Sequence, residues 1–300
     1  MQPMPLQPES DLAALLRSAR SRRMRLQGGL FALTLLTTFA AGAVGWQPLV
    51  LGVDDISSDI VFHWPRGLAY AAAVMAVLTA HEAGHFIAAW WHGIPATLPF
   101  FIPVPVMLTG TLGAVIGMEG GRANRRQLFD IAAAGPLAGL VVAVPLLAIG
   151  LVTGGPADSA NPFAMPALAR WVQASLRPDL PADLSVAPNA LLMAGWVGLL
   201  VTGLNLVPMS QLDGGHVCRA VFGQAGNIVA RGVLLTAIAA IIVTGQVNWV
   251  VMVVLVTLMG VDHPPIRDDG RPLGLFRTAL GLAVLTIPLL TFMPEPMRFE

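Results

Sequence analysis

Apolar runs of about 20 residues recur along the chain and constrain its fold more than any other feature. A bilayer core is crossed by roughly 20 residues of helix, and only helices or closed barrels satisfy their backbone hydrogen bonds there. Hydrophobic residues make up 55% of the sequence and charged residues only 11%, unlike a soluble domain. We therefore predict an all-α polytopic membrane protein with about six to seven transmembrane helices. The candidate spans lie near residues 29–51, 67–91, 129–153, 188–210, 229–244, 248–261 and 274–293.

The basic residues predict how these spans are oriented. All 17 are arginine, and cytoplasmic loops are the ones enriched in basic residues. An arginine-rich cytoplasmic tail over residues 1–28, followed by a membrane-embedded domain over 29–300, places most of the other arginines on the cytoplasmic side. Cleavage of a signal peptide near Ala41 to Ala43 is an alternative that leaves this orientation unchanged. A bacterial inner membrane is expected, because the leading residues hardly provide a plastid transit peptide.

One apolar stretch, residues 94–118, is not expected to form a helix. It contains four prolines, each of which removes a backbone donor and blocks a helix. Irregular backbone at membrane depth survives only where protein or a water-filled cavity covers it. We predict a re-entrant β-hairpin on the cytoplasmic side, whose last part, from Thr111 to Met118, is a strand with a free edge. A loop lying on the membrane surface is the alternative.

The second apolar run contains His81, Glu82 and His85, and ionisable groups inside a membrane are costly and mark function. Residues i and i+4 share one face of a helix, so the two imidazoles can converge on one ion. This is the HExxH pattern of zinc sites, in which the glutamate acts on water beside the metal. The alternative is that the three residues only form hydrogen bonds between helices.

Tetrahedral zinc needs at least one further protein ligand, and we expect it from Asp213. The span over 188–210 runs toward the same side of the membrane and ends in NLVPMSQLDGGH. Pro208 ends or kinks the helix, and the two glycines after the aspartate permit a tight turn. His216 is a rival ligand. An aspartate that only caps a loop is a further alternative, because Asp-Gly is a common turn sequence.

These segments together resemble the site-2 protease family, the intramembrane zinc metalloproteases. The resemblance spans most of residues 67–220, the expected catalytic core. It rests on HEAGH at 81–85, GTLGAV at 110–115, AGPLAG at 134–139 and NLVPMSQLDGGH at 205–216. The later DHPP at 262–265 is similar to a branch that has plant plastid and bacterial members and lacks a PDZ domain.

The resemblance implies one zinc ion per chain, bound by His81, His85 and Asp213, with Glu82 as the general base. It also implies that Asn205 helps to hold the substrate or the oxyanion. Many family members carry asparagine where this chain has Gly139, so no substrate-binding role passes to that position. The strand that would pair with an unwound substrate helix is expected to bind through Gly110, Thr111, Leu112, Gly113, Ala114 and Val115.

The expected activity is hydrolysis of peptide bonds within or near transmembrane segments, as in regulated intramembrane proteolysis. The expected partners are a single-span or multi-span membrane protein and the lipid bilayer. Nucleic acid is not expected, because the formal net charge is zero. A zinc transporter or channel would also need intramembrane ligands, and an inactive membrane scaffold is a third possibility.

Overall fold

Helices dominate the computed structural model, which describes residues 8–47, 56–118, 120–157, 163–180, 186–209, 211–245, 249–264, 266–267, 270 and 272–293. Residues 1–7 of the predicted tail, the last seven residues, Ser210 and Pro265 of DHPP lie outside the described residues. The helices are α1 (Pro8–Ala43), α2 (Ile56–Trp91), α3 (Arg125–Thr153), α4 (Ala167–Leu176), α5 (Ala190–Asn205), α6 (Asp213–Phe222), α7 (Gly226–Thr244), α8 (Val250–Met259) and α9 (Leu275–Thr291). The strands are β1 (Phe100–Pro103) and β2 (Thr111–Val115).

Four helical stretches of the described chain are long and apolar enough to cross a membrane: Arg17–Ala43, Ser57–Trp91, Arg125–Thr153 and Asp213–Thr244. The last of them joins α6 to α7 through a 3₁₀ turn. Two more apolar helices, α5 and α9, are shorter. The chain is therefore a mostly helical integral membrane protein, as predicted from composition. The count of six to seven spans stays a prediction, since α8 has only 10 residues.

The boundaries of these helices follow local chemistry. Helix α3 begins at a capping box, in which the Asn124 side chain accepts from the backbone of Gln127 and the Gln127 side chain accepts from the backbone of Asn124. Helix α2 is longer than predicted and bends at His63, two residues before Pro65. A proline inside a helix removes one hydrogen bond and is a common cause of such a kink.

Small residues let α2 lie close to the helices that flank it. A Cβ added to Gly84 of α2 would collide with the Ala134 carbonyl of α3, and one added to Gly198 of α5 would lie 2.9 Å from Cγ1 of Val77 in α2. Close approach of backbones at small residues is how helices associate in membranes. The result is a tightly packed centre of α2, α3 and α5, from which the metal centre is built.

The proline-rich segment contains a two-stranded hairpin, as predicted, but its second strand ends at Val115 and not at Met118. Strands β1 and β2 pair antiparallel, with Phe101 opposite Ala114 and an irregularity between Ile102 and Pro103. The Tyr70 hydroxyl of α2 donates to the Thr109 carbonyl at 3.1 Å, and Gly110 has a positive φ and packs against the backbone of α1. The sheet has two strands, so the outer edge of β2 has no strand partner within the described residues.

Candidate metal centre

The two histidines of HEAGH lie on one face of α2 and point toward the same space. Their ring centroids are 5.0 Å apart, and both residues are buried. His85 Nδ1 donates to the Ile131 carbonyl of α3 at 2.8 Å, because a carbonyl can only accept. In the neutral ring this leaves the Nε2 lone pair of His85 free to bind a metal, and such supporting bonds orient most metal-ligating histidines.

Asp213 reaches the histidines from the first residue of α6. The backbone of α6 starts so close to the end of α5 that a Cβ on Gly214 would collide with the Leu206 carbonyl. Asp213 Oδ2 lies 3.2 Å from His81 Nε2 and 3.2 Å from His85 Nε2. The structure therefore brings the three predicted ligands together, although Asp213 is more than 120 positions from either histidine in the sequence.

The spacing of these three atoms suits a tetrahedral metal ion. Two ligands that each lie about 2.0 Å from zinc are about 3.3 Å apart at the tetrahedral angle. The two distances from Asp213 Oδ2 are close to that value, and one ligand atom from each of the three residues lies within 4.8 Å of the others. Two imidazoles and one carboxylate are also a donor set that zinc accepts. Among the described residues this is the group that could hold a metal.

Glu82 lies beside the three candidate ligands and is not part of their group. The residue is 4% exposed, and its Oε2 is buried with no hydrogen-bond partner among the described residues. A buried, unpaired carboxylate oxygen is costly unless water or a ligand satisfies it. Glu82 lines a cavity of about 570 Å³ together with the three ligands, and this cavity is large enough for water and a peptide segment.

Only some of the other predicted site residues line the cavity of the metal centre. Asn205 lines the cavity, with its Nδ2 3.4 Å from His81 Nε2. Of the six predicted strand residues, only Ala114 and Val115 line the cavity, followed by Ile116 to Met118. Thr111 is buried and Gly113 packs against Val201 of α5, so the inner half of β2 contacts the fold. Their substrate-binding roles stay predictions.

Two glycines of the AGPLAG segment in α3, Gly135 and Gly139, abut the imidazoles. A Cβ on Gly139 would lie 3.1 Å from His81 Nδ1, and one on Gly135 would overlap the His85 ring. Nothing larger than hydrogen fits at Gly135 while His85 keeps its bond to the Ile131 carbonyl. The local sequence AGPLAG signals small residues, but only the structure shows that their neighbours are these two rings.

We expect the Gly135→Ala substitution to weaken zinc binding by about 10- to 100-fold, since displacing the His85 ring breaks its supporting hydrogen bond. Gly232→Ala is the matched control, because Gly232 is also helical and has nothing within 4 Å of an added Cβ. Zinc affinity, measured by competition with a chelating dye, distinguishes the two variants. Equal affinities in both variants would show that the ring can move without cost.

His216 is not among the three grouped ligands. Its Nδ1 lies 2.5 Å from Nε2 of His263, a residue of the DHPP segment. Both residues line the cavity of the metal centre, and His263 also bonds the Asn227 side chain through its backbone N–H. The imidazole pair thus links α6 to the segment after α8. Nothing in the sequence indicates that these two residues meet.

Two histidines of one apolar helix and an aspartate of another surround a metal-sized space, so the fold and the site define a membrane-embedded metalloprotein. Comparison with known sequences agrees: the model of peptidase family M50 matches residues 69–245, more than half of the chain. The chain belongs to this family, the site-2 protease family.

Several plant proteins are similar to this chain. It is 31% identical over 280 residues to the probable zinc metalloprotease EGY2, chloroplastic, of Arabidopsis thaliana, covering 87% of this chain and 50% of the relative. It is 28% identical over 241 residues to the probable zinc metalloprotease EGY1, chloroplastic, of Oryza sativa subsp. japonica, covering 76% and 40%. The chain thus spans about half or less of the length of these relatives. No solved structure matches it.

Proposed function

We propose that the protein is an intramembrane zinc metalloprotease, which hydrolyses peptide bonds within or near the transmembrane segments of other membrane proteins. The observation that carries this proposal is the buried Glu82 carboxylate, whose Oε2 is unpaired beside three convergent metal ligands. A general base next to a metal site is what hydrolysis requires. The relatives support the proposal, because they are named probable zinc metalloproteases.

His81, His85 and Asp213 are the residues that would hold the zinc ion, one per chain. Bound zinc lowers the pKa of water and polarises a carbonyl, which makes water a nucleophile near neutral pH. Glu82 accepts the proton of the attacking water and passes it to the leaving amine. The Asn205 amide lies close enough to His81 Nε2, at 3.4 Å, to donate to the oxygen on which negative charge develops.

The free edge of β2 gives the substrate a place to bind. Peptide bonds in a helix are shielded by their own hydrogen bonds, so a substrate helix must open before attack. An edge strand supplies replacement main-chain bonds. Leu112 and Val115 of β2 are each 53% exposed, and Val115 also lines the cavity of the metal centre. Substrates are therefore expected to carry helix-weakening residues near the cut.

The rival functions have less physical support. A transporter needs a path with several weak sites, whereas the described ligands converge on one place with a base beside them. An inactive scaffold would have no need to keep a buried glutamate next to the ligands. That the substrate is a single-span or multi-span membrane protein is also part of the proposal.

The topology belongs to the proposal as well. Six to seven spans, with the N-terminus and the metal centre on the cytoplasmic side, are supported by the distribution of arginines. The relatives are named chloroplastic, so they lend no support to the bacterial inner membrane that the sequence alone predicted.

Removal of metal tests the proposal directly. Protein reconstituted with a single-span substrate is expected to lose cleavage when zinc is extracted with 1,10-phenanthroline, and to regain it when zinc but not magnesium is returned, because nitrogen ligands suit zinc. The measurement is the amount of product on a gel. Cleavage that continues in metal-free protein would contradict the proposal, and zinc flux into sealed vesicles that persists after Glu82→Gln would favour transport.

A further inference from the structure

A second cavity, of about 600 Å³, lies between the first part of α1 and the chain around the end of α2. It shares no lining residue with the cavity of the metal centre. Arginines and apolar side chains face it together, and none of its described lining residues is acidic. The residues that matter here are Arg20, Arg23, Met24, Gln27, Phe86 and Leu98.

Arg20 and Arg23 are three residues apart, so their side chains lie on the same face of α1. Both are exposed, and neither guanidinium has a hydrogen-bond or ion-pair partner within the described part of the chain. Two arginines elsewhere in the structure are paired: Arg277 donates to both carboxylate oxygens of Asp130, and Arg66 donates to two carbonyls at the end of α1. Two unpaired guanidiniums that share a cavity favour an anionic ligand with several oxygens.

The position of the cavity along α1 fits one boundary of a bilayer whose other boundary lies at Ala43. Counting back from the end of α1 at Ala43, Arg23 and Arg20 lie about 30 and 35 Å along the helix axis, at about 1.5 Å per residue. The hydrocarbon core is about 30 Å thick, so the guanidiniums reach the level of the headgroups while Gln27 does not. Trp90 and Trp91, at the neighbouring end of α2, are 75% and 81% exposed, as is typical of tryptophan at this interface.

We propose that this cavity binds an anionic phospholipid, with Arg20 and Arg23 on the phosphate and Phe86, Met24 and Leu98 beside the acyl chains. The charge of the cavity complements the headgroup, and its apolar side complements the tails. Basic residues next to a membrane span bind anionic lipids in this way, and here a cavity gives them a defined place to do so. The proposal does not depend on catalysis.

The bound lipid would also contact the base of the hairpin. Gln27 Nε2 donates to the Leu98 carbonyl at 2.6 Å, and the Thr97 backbone N–H donates to the Gly117 carbonyl at 2.8 Å. Leu98 leads into β1, and Gly117 follows β2. A lipid in this cavity therefore contacts the end of the segment that leads into β1, and the Thr97 bond joins that end to the chain after β2.

The test uses the full chain in a neutral detergent and two matched double variants. Arg20→Gln with Arg23→Gln removes both guanidiniums from the cavity. Arg22→Gln with Arg25→Gln removes the same charge from the other side of α1, about 140° to 160° from Gln27 at about 100° per residue. Binding of dioctanoyl phosphatidylglycerol, dioctanoyl phosphatidylcholine and inorganic phosphate is measured by native mass spectrometry and calorimetry, with zinc content as the check on folding.

We expect wild-type protein to bind phosphatidylglycerol at least about tenfold more tightly than either phosphatidylcholine or inorganic phosphate. The Arg20 and Arg23 double variant is expected to lose about tenfold or more of this affinity, and the Arg22 and Arg25 double variant less than about twofold. Equal losses in the two variants would show a diffuse effect of charge and overturn the site. Equal binding of phosphatidylcholine, or of free phosphate, would overturn the assignment to an anionic lipid.

Discussion

Glu82→Gln protein is expected to keep its zinc and to cleave a reconstituted substrate about 10²- to 10⁴-fold more slowly than wild type, the usual contribution of a general base. Glutamine has nearly the same size as glutamate and still presents a polar group to the cavity, so the fold should be preserved. What it lacks is the ability to take a proton from water. The loss should therefore appear in kcat, with little change in KM.

Three measurements together test this prediction. Zinc content by elemental analysis shows whether the ligands are intact, and the melting temperature shows whether the buried position tolerates the amide. Single-turnover cleavage then reports the chemical step alone. A zinc-loaded Glu82→Gln protein that cleaved at the wild-type rate would remove the base from the mechanism, and with it the main reason for assigning an activity to this cavity.

Asp213→Ala is expected to lose zinc at micromolar free metal. The substitution removes one of three protein ligands and leaves two imidazoles, which is fewer than catalytic zinc sites use. The loss should exceed the roughly 10- to 100-fold effect of removing only a supporting partner of a ligand. Cleavage should fall with zinc content, because Glu82 then has no activated water to act on.

His216→Ala is the matched control for Asp213, since both residues lie on α6 and both line the cavity. We expect it to keep its zinc. The measurement is bound zinc per chain after dialysis against a metal buffer, for wild type and both variants. The reverse result, in which His216→Ala loses the metal and Asp213→Ala keeps it, would make His216 the third ligand. It would contradict the ligand set inferred from the distances of 3.2 Å between Asp213 Oδ2 and the Nε2 atoms of His81 and His85.

Some features could be predicted from the sequence because they depend on short-range patterns. Apolar runs predicted the helical membrane class, and the prolines of residues 94–118 predicted that this stretch is not a helix. The four-residue spacing of His81 and His85 placed both rings on one face of α2. The prediction of Asp213 as the third ligand needed two further steps. The span over 188–210 had to run toward the same side of the membrane as His85, and the turn after Pro208 had to point the carboxylate toward the histidines.

Other features depend on contacts between distant segments, and the sequence carries little signal for them. The Ile131 carbonyl that fixes the His85 ring is a backbone atom that any residue would supply. Ala114 and Val115 of β2 line the cavity whereas Thr111 does not, and which strand residues reach the cavity follows from tertiary packing. Helix α8 lies within the predicted span near residues 248–261, but it has only 10 residues, because hydropathy alone does not show where a helix ends.

The hairpin is held before any substrate arrives. The Tyr70 hydroxyl bonds the Thr109 carbonyl, the Thr111 hydroxyl bonds the Ile102 carbonyl at 2.9 Å, and Gly110 rests on α1. A template ordered in advance loses little conformational entropy on binding. The conformational cost of binding then comes almost wholly from opening the substrate helix. Substrates of unrelated sequence whose helices open equally easily should therefore be cut at similar rates.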